Sequence, residues 1–522
     1  MSSPGDGSVV WQEDQPARTI ALNASMRWFT IAVELALGFI MLPFNTRYLG
    51  PDDYGLWMLA ASIVAYFPIL DLGYAGAMDR FVAHYRAVRD ARAISEVAST
   101  VFFIFAAAGA VGLAIVALVA ANIGTLFTVS PAQVGTGRAV MMLVAVQFAV
   151  GLPIAAYGGI VNGFQRTYLN GIVGTLVALA VAIVNVTVLV VGGTLVQLVA
   201  ATTVTRMLGF IVYRMNAYRV FPALQVRYSL FRRTRLRELT SFSVYMLMQT
   251  IGNKLNYATD PVVVGAFVST GAVAIWTVAQ RLADMVLRIT HQLNEVLFPV
   301  IVDCDSTQRD DRLRDVLVQG TKISLALAVP IAGTLALLAE PVVLAWIGPQ
   351  FAEAEILVQI LVAVVLVRVG SATAATVLKG AGHIRLLAWS TGVSSVVNVA
   401  LSVVLLHLYG LPGVAIATLI PVVVRAVLVL LPVACERVGM TVRAFIAQAV
   451  WPPVWPGLVS LGLLFMVREY VAASLLQCAL YSVATGFVYT VLFVGVAIGR
   501  DDRRRYVAKL RDRKGVPALN AA

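Results

Sequence analysis

Six polar or charged residues recur at helical spacing between positions 271 and 298: Thr277, Arg281, Asp284, Arg288, His291 and Glu295. At about 100° per residue they share a sector roughly 100° wide on one helix face. Two guanidinium groups on one face suit an anionic ligand, because their forked donors match phosphate oxygens. Pairing of Asp284 with Arg281 or Arg288 on the adjacent turn is the plainer reading of the carboxylate. That pairing leaves the second arginine and the histidine of the same face unexplained. Two further stripes have the same period: Gln249, Asn253, Asn256 and Asp260, then Asn23, Arg27, Thr30 and Glu34. Amides and hydroxyls of this kind hydrogen-bond to neutral polar ligands. Glu34 reads either as a group coupling transport to a proton or cation, or as a buried partner for an arginine.

The elements that must carry these groups are apolar. Of 522 residues, 60% are hydrophobic and only 13% are charged, against about 25% charged in an average soluble domain. A soluble globule so poor in charge could not cover its own surface. The sequence predicts an all-α polytopic membrane protein with about fourteen spans of roughly 20 apolar residues: 22–44, 55–77, 97–120, 138–160, 169–191, 195–213, 241–266, 271–298, 316–339, 355–378, 386–408, 411–433, 446–467 and 473–497. Twelve spans would require two of these stretches to lie outside the bilayer, and none is conspicuously weak. In such spans a charged stripe faces a wet cavity or a polar helix neighbour, since lipid would not solvate it.

The formal charge of +12 is read accordingly. With the N-terminus inside, thirty of the 39 basic residues fall in cytoplasmic segments and three in outer loops. That bias predicts cytoplasmic N- and C-termini and an even number of spans. Residues 1–21 form a cytoplasmic tail without a basic signal-peptide region, and 499–522 a basic cytoplasmic tail. Six basic residues remain deep inside spans, away from the span ends where Arg27, Arg138 and Lys322 sit: Arg206, Lys254, Arg281, Arg288, Arg368 and Arg425.

A weak internal repeat divides the chain. Tyr54-Gly55-Leu56-Trp57 matches Val273-Ala274-Ile275-Trp276, Asn162-Gly163 matches Lys379-Gly380, Ala201-Thr202 matches Ala417-Thr418, and Arg206 falls opposite Arg425. A near-constant offset predicts two parallel six-helix lobes, 22–213 and 241–433, followed by a helix pair in 434–498. The linker 214–240 carries seven arginines with interleaved aromatics. It reads as a positive-inside linker ahead of a helix lying on anionic lipid; no folded soluble module surrounds it to suggest nucleic acid. No GxSxG, Walker A or HExxH motif occurs. No His/Cys cluster suggests a metal, the three cysteines suggest no disulfide framework, and no cofactor is expected.

The run Leu42-Pro43-Phe44-Asn45-Thr46-Arg47-Tyr48-Leu49-Gly50-Pro51-Asp52-Asp53-Tyr54-Gly55-Leu56-Trp57 resembles the first-loop signature of the bacterial polysaccharide (O-antigen type) flippases. The likeness continues through Asp71-Leu72-Gly73, Asp79-Arg80-Phe81-Val82, Asp260, Trp276-Thr277-Val278-Ala279-Gln280-Arg281-Leu282 and Trp346-Ile347-Gly348-Pro349-Gln350-Phe351. Trp57 and Trp276 depart from the Tyr that the family often has. That family shares a superfamily with MATE-type multidrug exporters and lipid II flippases. The resemblance implies a two-lobed, V-shaped helical transporter of the bacterial inner membrane. It also implies a cargo of undecaprenyl-diphosphate-linked oligosaccharide, membrane lipids as surroundings, and glycosyltransferases and a polymerase as pathway partners. On that reading Arg281 and Arg288 contact the diphosphate and Arg80 meets the incoming cargo. Asn253, Asn256, Gln249 and His291 contact the headgroup, and Glu34, Asp260 and Asp284 couple or gate. A MATE-type small-cation antiporter is the alternative; it would favour an acidic cavity. A membrane-embedded glycan polymerase would need larger outer loops than this chain has.

Overall fold

The computed structural model describes residues 16–240, 247 and 259–497. Within them every regular element is helical. The chain divides into two compact units, residues 1–277 and 278–522. The division falls inside a helix, whereas composition alone placed the change of lobe at 214–240.

In the first unit the helices are α1 (Pro16–Val64), α2 (Tyr74–Ala87), α3 (Ala91–Ala121), α4 (Ile123–Leu126), α5 (Val134–Gly163), α6 (Thr167–Val190), α7 (Leu195–Val220), α8 (residues 233–240), α9 (Thr259–Phe267) and the start of α10 (Thr270–Ser306). Unbroken, the 49 residues of α1 would extend about 74 Å, over twice the ~30 Å hydrocarbon core. Gly50 interrupts it at φ 74°, ψ 171°, a conformation that glycine adopts without a Cβ penalty. Pro51 then restarts the helix with its φ already set. The expected spans 22–44 and 55–77 lie on either side of this break.

The stretch 55–77 was expected to be one span; the structure breaks it. A short 3₁₀ turn covers Phe67–Asp71, and Leu72 and Gly73 take left-handed conformations, φ 54° and 78°. The Asp71 carboxylate accepts a hydrogen bond from the Gly73 amide, a local bond that competes with the helix. Beyond the break, α2 is amphipathic. Tyr74, Ala77, Met78, Val82 and Tyr85 are buried at three- and four-residue spacing, while Arg80 and His84 are exposed.

Around this hairpin-like entry α3 packs on α5, α5 on α7, and α6 on both α1 and α7. Segment 214–240 is folded against the same unit. The backbone amides of Gln225, Arg227 and Arg232 donate to the hydroxyls of Ser95, Ser99 and Thr100 at 3.2 Å. Glu96, with its side chain only 12% exposed, faces Arg92, Arg232 and Arg235 at 3.4, 3.7 and 3.2 Å. Arg235 also lies 4.8 Å over the Tyr85 ring. Three of the chain's cytoplasm-assigned arginines are thereby committed to one carboxylate. Glu96→Ala is expected to cost about 1–3 kcal/mol. The readout is a lower melting temperature with new protease cleavage within 221–235; unchanged cleavage would show that Glu96 does not hold the segment.

The second unit continues with α11 (Asp310–Leu337), α12 (Ala339–Trp346), α13 (Ala354–Gly380), α14 (Ile384–Tyr409), α15 (Leu411–Arg425), α16 (Leu431–Arg437), α17 (Val442–Phe445), α18 (Trp451–Val467) and α19 (Leu475–Leu492). The repeat seen in sequence returns in the helix order. Ala91 and Asp310, Val134 and Ala354, Thr167 and Ile384, and Leu195 and Leu411 open corresponding helices 216–220 residues apart. The pairings also match: α11 on α13, α13 on α15, and α14 on α15. The C-terminal pair packs back on α11, where Gly457 lets α18 approach Val329 and Tyr489 donates to the Pro453 carbonyl at 3.1 Å.

Eleven helical stretches among the described residues are long and apolar enough to cross a membrane. The count differs from fourteen for three reasons. The first two expected spans run together as Ala21–Asp71, 241–266 falls mostly outside the described residues, and α10 carries the charges of the main polar stripe. Outward faces carry large apolar side chains, including Leu118, Ile183, Leu428 and Phe487, each more than 60% exposed. Water would solvate such faces poorly; hydrocarbon solvates them well.

Candidate functional site

A cluster of charge lies in the second unit. Arg281, Asp284 and Arg288 occupy successive turns of α10, with both arginines exposed and Asp284 half-buried. Arg368 of α13 joins them, and all three guanidinium groups act electrostatically on the Asp284 carboxylate. The three guanidinium groups and the carboxylate thus form one electrostatically coupled cluster. Neither simple reading of Asp284 covers this arrangement. The carboxylate has cationic neighbours on its own helix, as the plain pairing requires, and a third on α13 that the pairing did not include. His291 and Glu295 lie in α10, but their side chains fall outside the described residues.

Thr277, the other stripe member whose side chain is described, is spent on its own helix, and polar neighbours off the stripe are spent on packing. Thr277 and Thr290 donate back to α10 carbonyls, those of Val273 at 2.7 Å and Leu287 at 3.0 Å. Asn294, buried on the same helix, accepts from Thr373 of α13 at 3.1 Å.

The stripe on α1 divides in the same way. Asn23 donates to the Gln165 carbonyl at 2.8 Å and accepts from the Tyr168 amide at 2.9 Å. The Thr30 and Thr175 hydroxyls share a hydrogen bond of 3.0 Å. These two residues bind α1 to α6. Glu34 is exposed four residues further on. The third stripe is only partly visible, because Gln249, Asn253 and Asn256 lie outside the described residues. Its last member, Asp260, is 4% exposed. It sits beside Thr259, whose hydroxyl hydrogen-bonds the Tyr66 hydroxyl at 2.6 Å, next to the break between α1 and α2. Arg80 is exposed on α2, with its guanidinium 5.9 Å over the neighbouring Phe81 ring.

A second site was not read from the spacing of its residues. In the first unit a cavity of about 420 Å³ is lined by α2 (Ala75, Met78, Asp79), α5 (Gly151, Ala155, Gly159, Asn162) and α7 (Phe210, Tyr213). Asp79 accepts from Asn162 Nδ2 at 3.3 Å, and Asn162 Oδ1 accepts from Asn170 Nδ2 at 2.9 Å. Gly159 makes this possible, since a Cβ there would lie 3.0 Å from Met78 Sδ and 3.2 Å from Asp79 Oδ1. Only the Asp79 run, noticed for its resemblance, and Asn162, noticed as a repeat marker, hinted at the place.

Burial pushes the Asp79 carboxyl up to about 6, against the lowering effect of the Asn162 hydrogen bond. Between the usual carboxylate value near 4 and 6, the folded protein therefore holds a proton that the unfolded chain releases. Stability falls as pH rises through that window, and the cost persists above it. Asp79→Asn removes the titration. It is expected to raise the melting temperature at pH 7.5, with the gain shrinking as pH falls towards 4. A pH-independent difference would show that the carboxyl does not titrate in this window.

Comparison with known proteins bears on the whole chain. Two curated relatives from Haloferax volcanii match part of it: a protein described as "Probable flippase AglR", 26% identical over 224 residues, and "Probable low-salt glycan biosynthesis flippase Agl15", 22% identical over 192 residues. These alignments cover 42% and 37% of this chain and 44% and 41% of the relatives, so the chain spans less than half the length of each. Among solved structures, the lipid II flippase MurJ in an inward closed conformation superposes with a TM-score of 0.69 at 13% identity, over 91% of this chain and 98% of that one. An inward-facing MATE-family multidrug transporter superposes with a TM-score of 0.63 at 15% identity, over 82% and 99%. These likenesses show the fold: an all-α, multi-pass membrane protein of the kind shared by MurJ and the MATE transporters. The family model described as "Polysaccharide biosynthesis protein" matches residues 24–305, more than half of the sequence, and the chain belongs to that family.

Proposed function

We propose that the protein is a flippase that carries a polyprenyl-diphosphate-linked oligosaccharide across the bacterial inner membrane, for cell-surface polysaccharide synthesis. The observation that carries the reading is the cluster of Arg281, Arg288 and Arg368 about Asp284 in an apolar unit. Arginines inside a membrane protein are costly without a function, and a diphosphate is the anionic centre of such a cargo. The names of the two relatives and the family description support the glycan assignment. The cytoplasmic bias of the basic residues supports an N-in, C-in orientation, with cargo received on the inner side and released outside by alternating access of the two lobes. Lobes at 22–213 and 241–433, joined through 214–240, remain our working division. Within this scheme Arg281 and Arg288 hold the diphosphate, His291 contacts the headgroup and Arg80 meets cargo at the inner face. Gln249, Asn253 and Asn256 contact the headgroup, while Glu34, Asp260 and Asp284 couple or gate, with a proton or sodium ion as the coupling ion.

The test is reconstitution in proteoliposomes loaded on one leaflet with polyprenyl-diphosphate-linked oligosaccharide. The expected result is protein-dependent appearance of the glycan on the opposite leaflet, read by an impermeant lectin or glycosidase. Transport of small organic cations without glycan movement would instead support a MATE-type antiporter.

A further inference from the structure

The pocket of α2, α5 and α7 lies apart from the arginine cluster in sequence and in compact unit, and the diphosphate reading does not use it. Its volume, about 420 Å³, falls within the ~300–1,000 Å³ range of small-ligand clefts. The polar groups on its wall have unused bonding capacity. Asp79 receives a single hydrogen bond, from Asn162, and has no ion-pair partner among the described residues. An ionised carboxylate can accept about four. Behind Asn162, the Asn170 amide donates to both Asn162 and the Gly158 carbonyl, yet its buried Oδ1 meets no donor. The same lining holds two aromatic rings, those of Phe210 and Tyr213. Glycines at 151, 158 and 159 keep the floor low; a Cβ at Gly151 would come within 2.8 Å of the Phe210 ring.

Acceptors and aromatic rings lining one cavity suit a ligand with several hydroxyl donors on one edge and C–H groups on its faces. A pyranose ring has that form. An organic cation would also meet the carboxylate and the rings, but Arg206 stands on the same helix as Tyr213 and its charge acts on the Tyr213 hydroxyl. A neutral polyol suffers no repulsion there. We infer that this pocket is a sugar subsite, accepting one pyranose ring through Asp79 and Asn162 and stacking it against Phe210 and Tyr213. The inference deepens the glycan reading above and rests on it for the source of the ring. The pocket lies at the ends of α5 and α7 assigned to the inner side, where a lipid-linked glycan would first be presented.

The test uses the full-length protein in nanodiscs and four probes: polyprenyl-diphosphate-linked oligosaccharide, bare polyprenyl diphosphate, the free oligosaccharide, and tetraphenylphosphonium. Two variants are compared with the parent. Asp79→Asn removes the ionised acceptor. Ala155→Leu, at an exposed position of the pocket wall, fills the space and leaves the polar groups in place. Each variant is expected to weaken the glycan-bearing lipid and the free oligosaccharide about tenfold, the scale of one charge-assisted hydrogen bond or one excluded ring contact, while binding of bare polyprenyl diphosphate is unchanged. Equal weakening of the bare lipid would overturn the inference, as would unaltered glycan binding in both variants. Asp79-dependent binding of tetraphenylphosphonium in place of sugar would overturn it in favour of a cation site. If the free oligosaccharide binds through Asp79 and neither lipid binds at all, the subsite stands and the flippase reading falls.

Discussion

Replacing both Arg281 and Arg288 with alanine is expected to reduce glycan translocation to the protein-free background while the protein still inserts and folds. Each guanidinium offers charge-assisted hydrogen bonds worth about 1.5–3 kcal/mol to an anionic oxygen. Loss of two should weaken diphosphate binding by ~100-fold or more. The fold should survive for two reasons. Both side chains are exposed, so their removal opens no cavity in the core. Asp284 keeps the attraction of Arg368 from α13, so it is not left as a lone charge. Single replacements should give intermediate affinities. Arg281→Lys and Arg288→Lys should recover only part of the loss, because an ammonium restores the charge without the planar fork. Binding is measured with bare polyprenyl diphosphate, transport with the leaflet assay, and folding by size-exclusion chromatography and melting temperature. If the double variant transports like the parent, the cationic cluster does not hold the cargo.

The largest expected effect on stability is at Gly55. Valine or alanine at this position should prevent accumulation of folded protein, measured as monodisperse yield after mild detergent extraction. A Cβ built there would sit 1.7 Å from the Thr270 carbonyl oxygen and 2.6 Å from its carbon. Both atoms belong to the backbone at the start of α10, so no side-chain rotation relieves the overlap and one helix must move. Overpacking that a core can absorb costs about 1–3 kcal/mol; a clash with fixed backbone should exceed that. Gly50→Ala acts differently. A Cβ there meets nothing within 4 Å but must occupy φ 74°, ψ 171°, so its expected cost is only the backbone strain of about 1–3 kcal/mol. Equal tolerance of alanine at both positions would contradict the close approach of α1 and α10.

The contrast explains part of the signature run that marked the family. Gly50 and Pro51 stop one helix and start the next, and Gly55 lets two backbones touch. Gln133 Nε2 donates to Asp53 at 2.9 Å, tying the run to the turn before α5. Much of what is recognisable in that run is joinery, and cargo contacts need not be sought there.

Composition and period were enough to establish a helical membrane protein, the approximate places of most of its spans and a repeat near 218 residues. Each of these is a property of one helix at a time, or of a count along the chain. Period also located the polar faces, but it could not say what those faces do. Asn23, Thr30 and Thr277 belong to the stripes as fully as Arg281, yet hydrogen bonds to the same or a neighbouring helix consume them. Whether a polar side chain is spent on packing or left for a ligand depends on what the adjacent helix places within about 3 Å of it, and that is decided by tertiary contact. The pocket around Asp79 is the extreme case. Its members come from positions 79, 151–162 and 210–213, on three helices whose spacing carries no common period. Only packing around small residues such as Gly151 and Gly159 brings a carboxylate, an amide and two rings to one cavity, and only burial there lifts the Asp79 carboxyl towards 6.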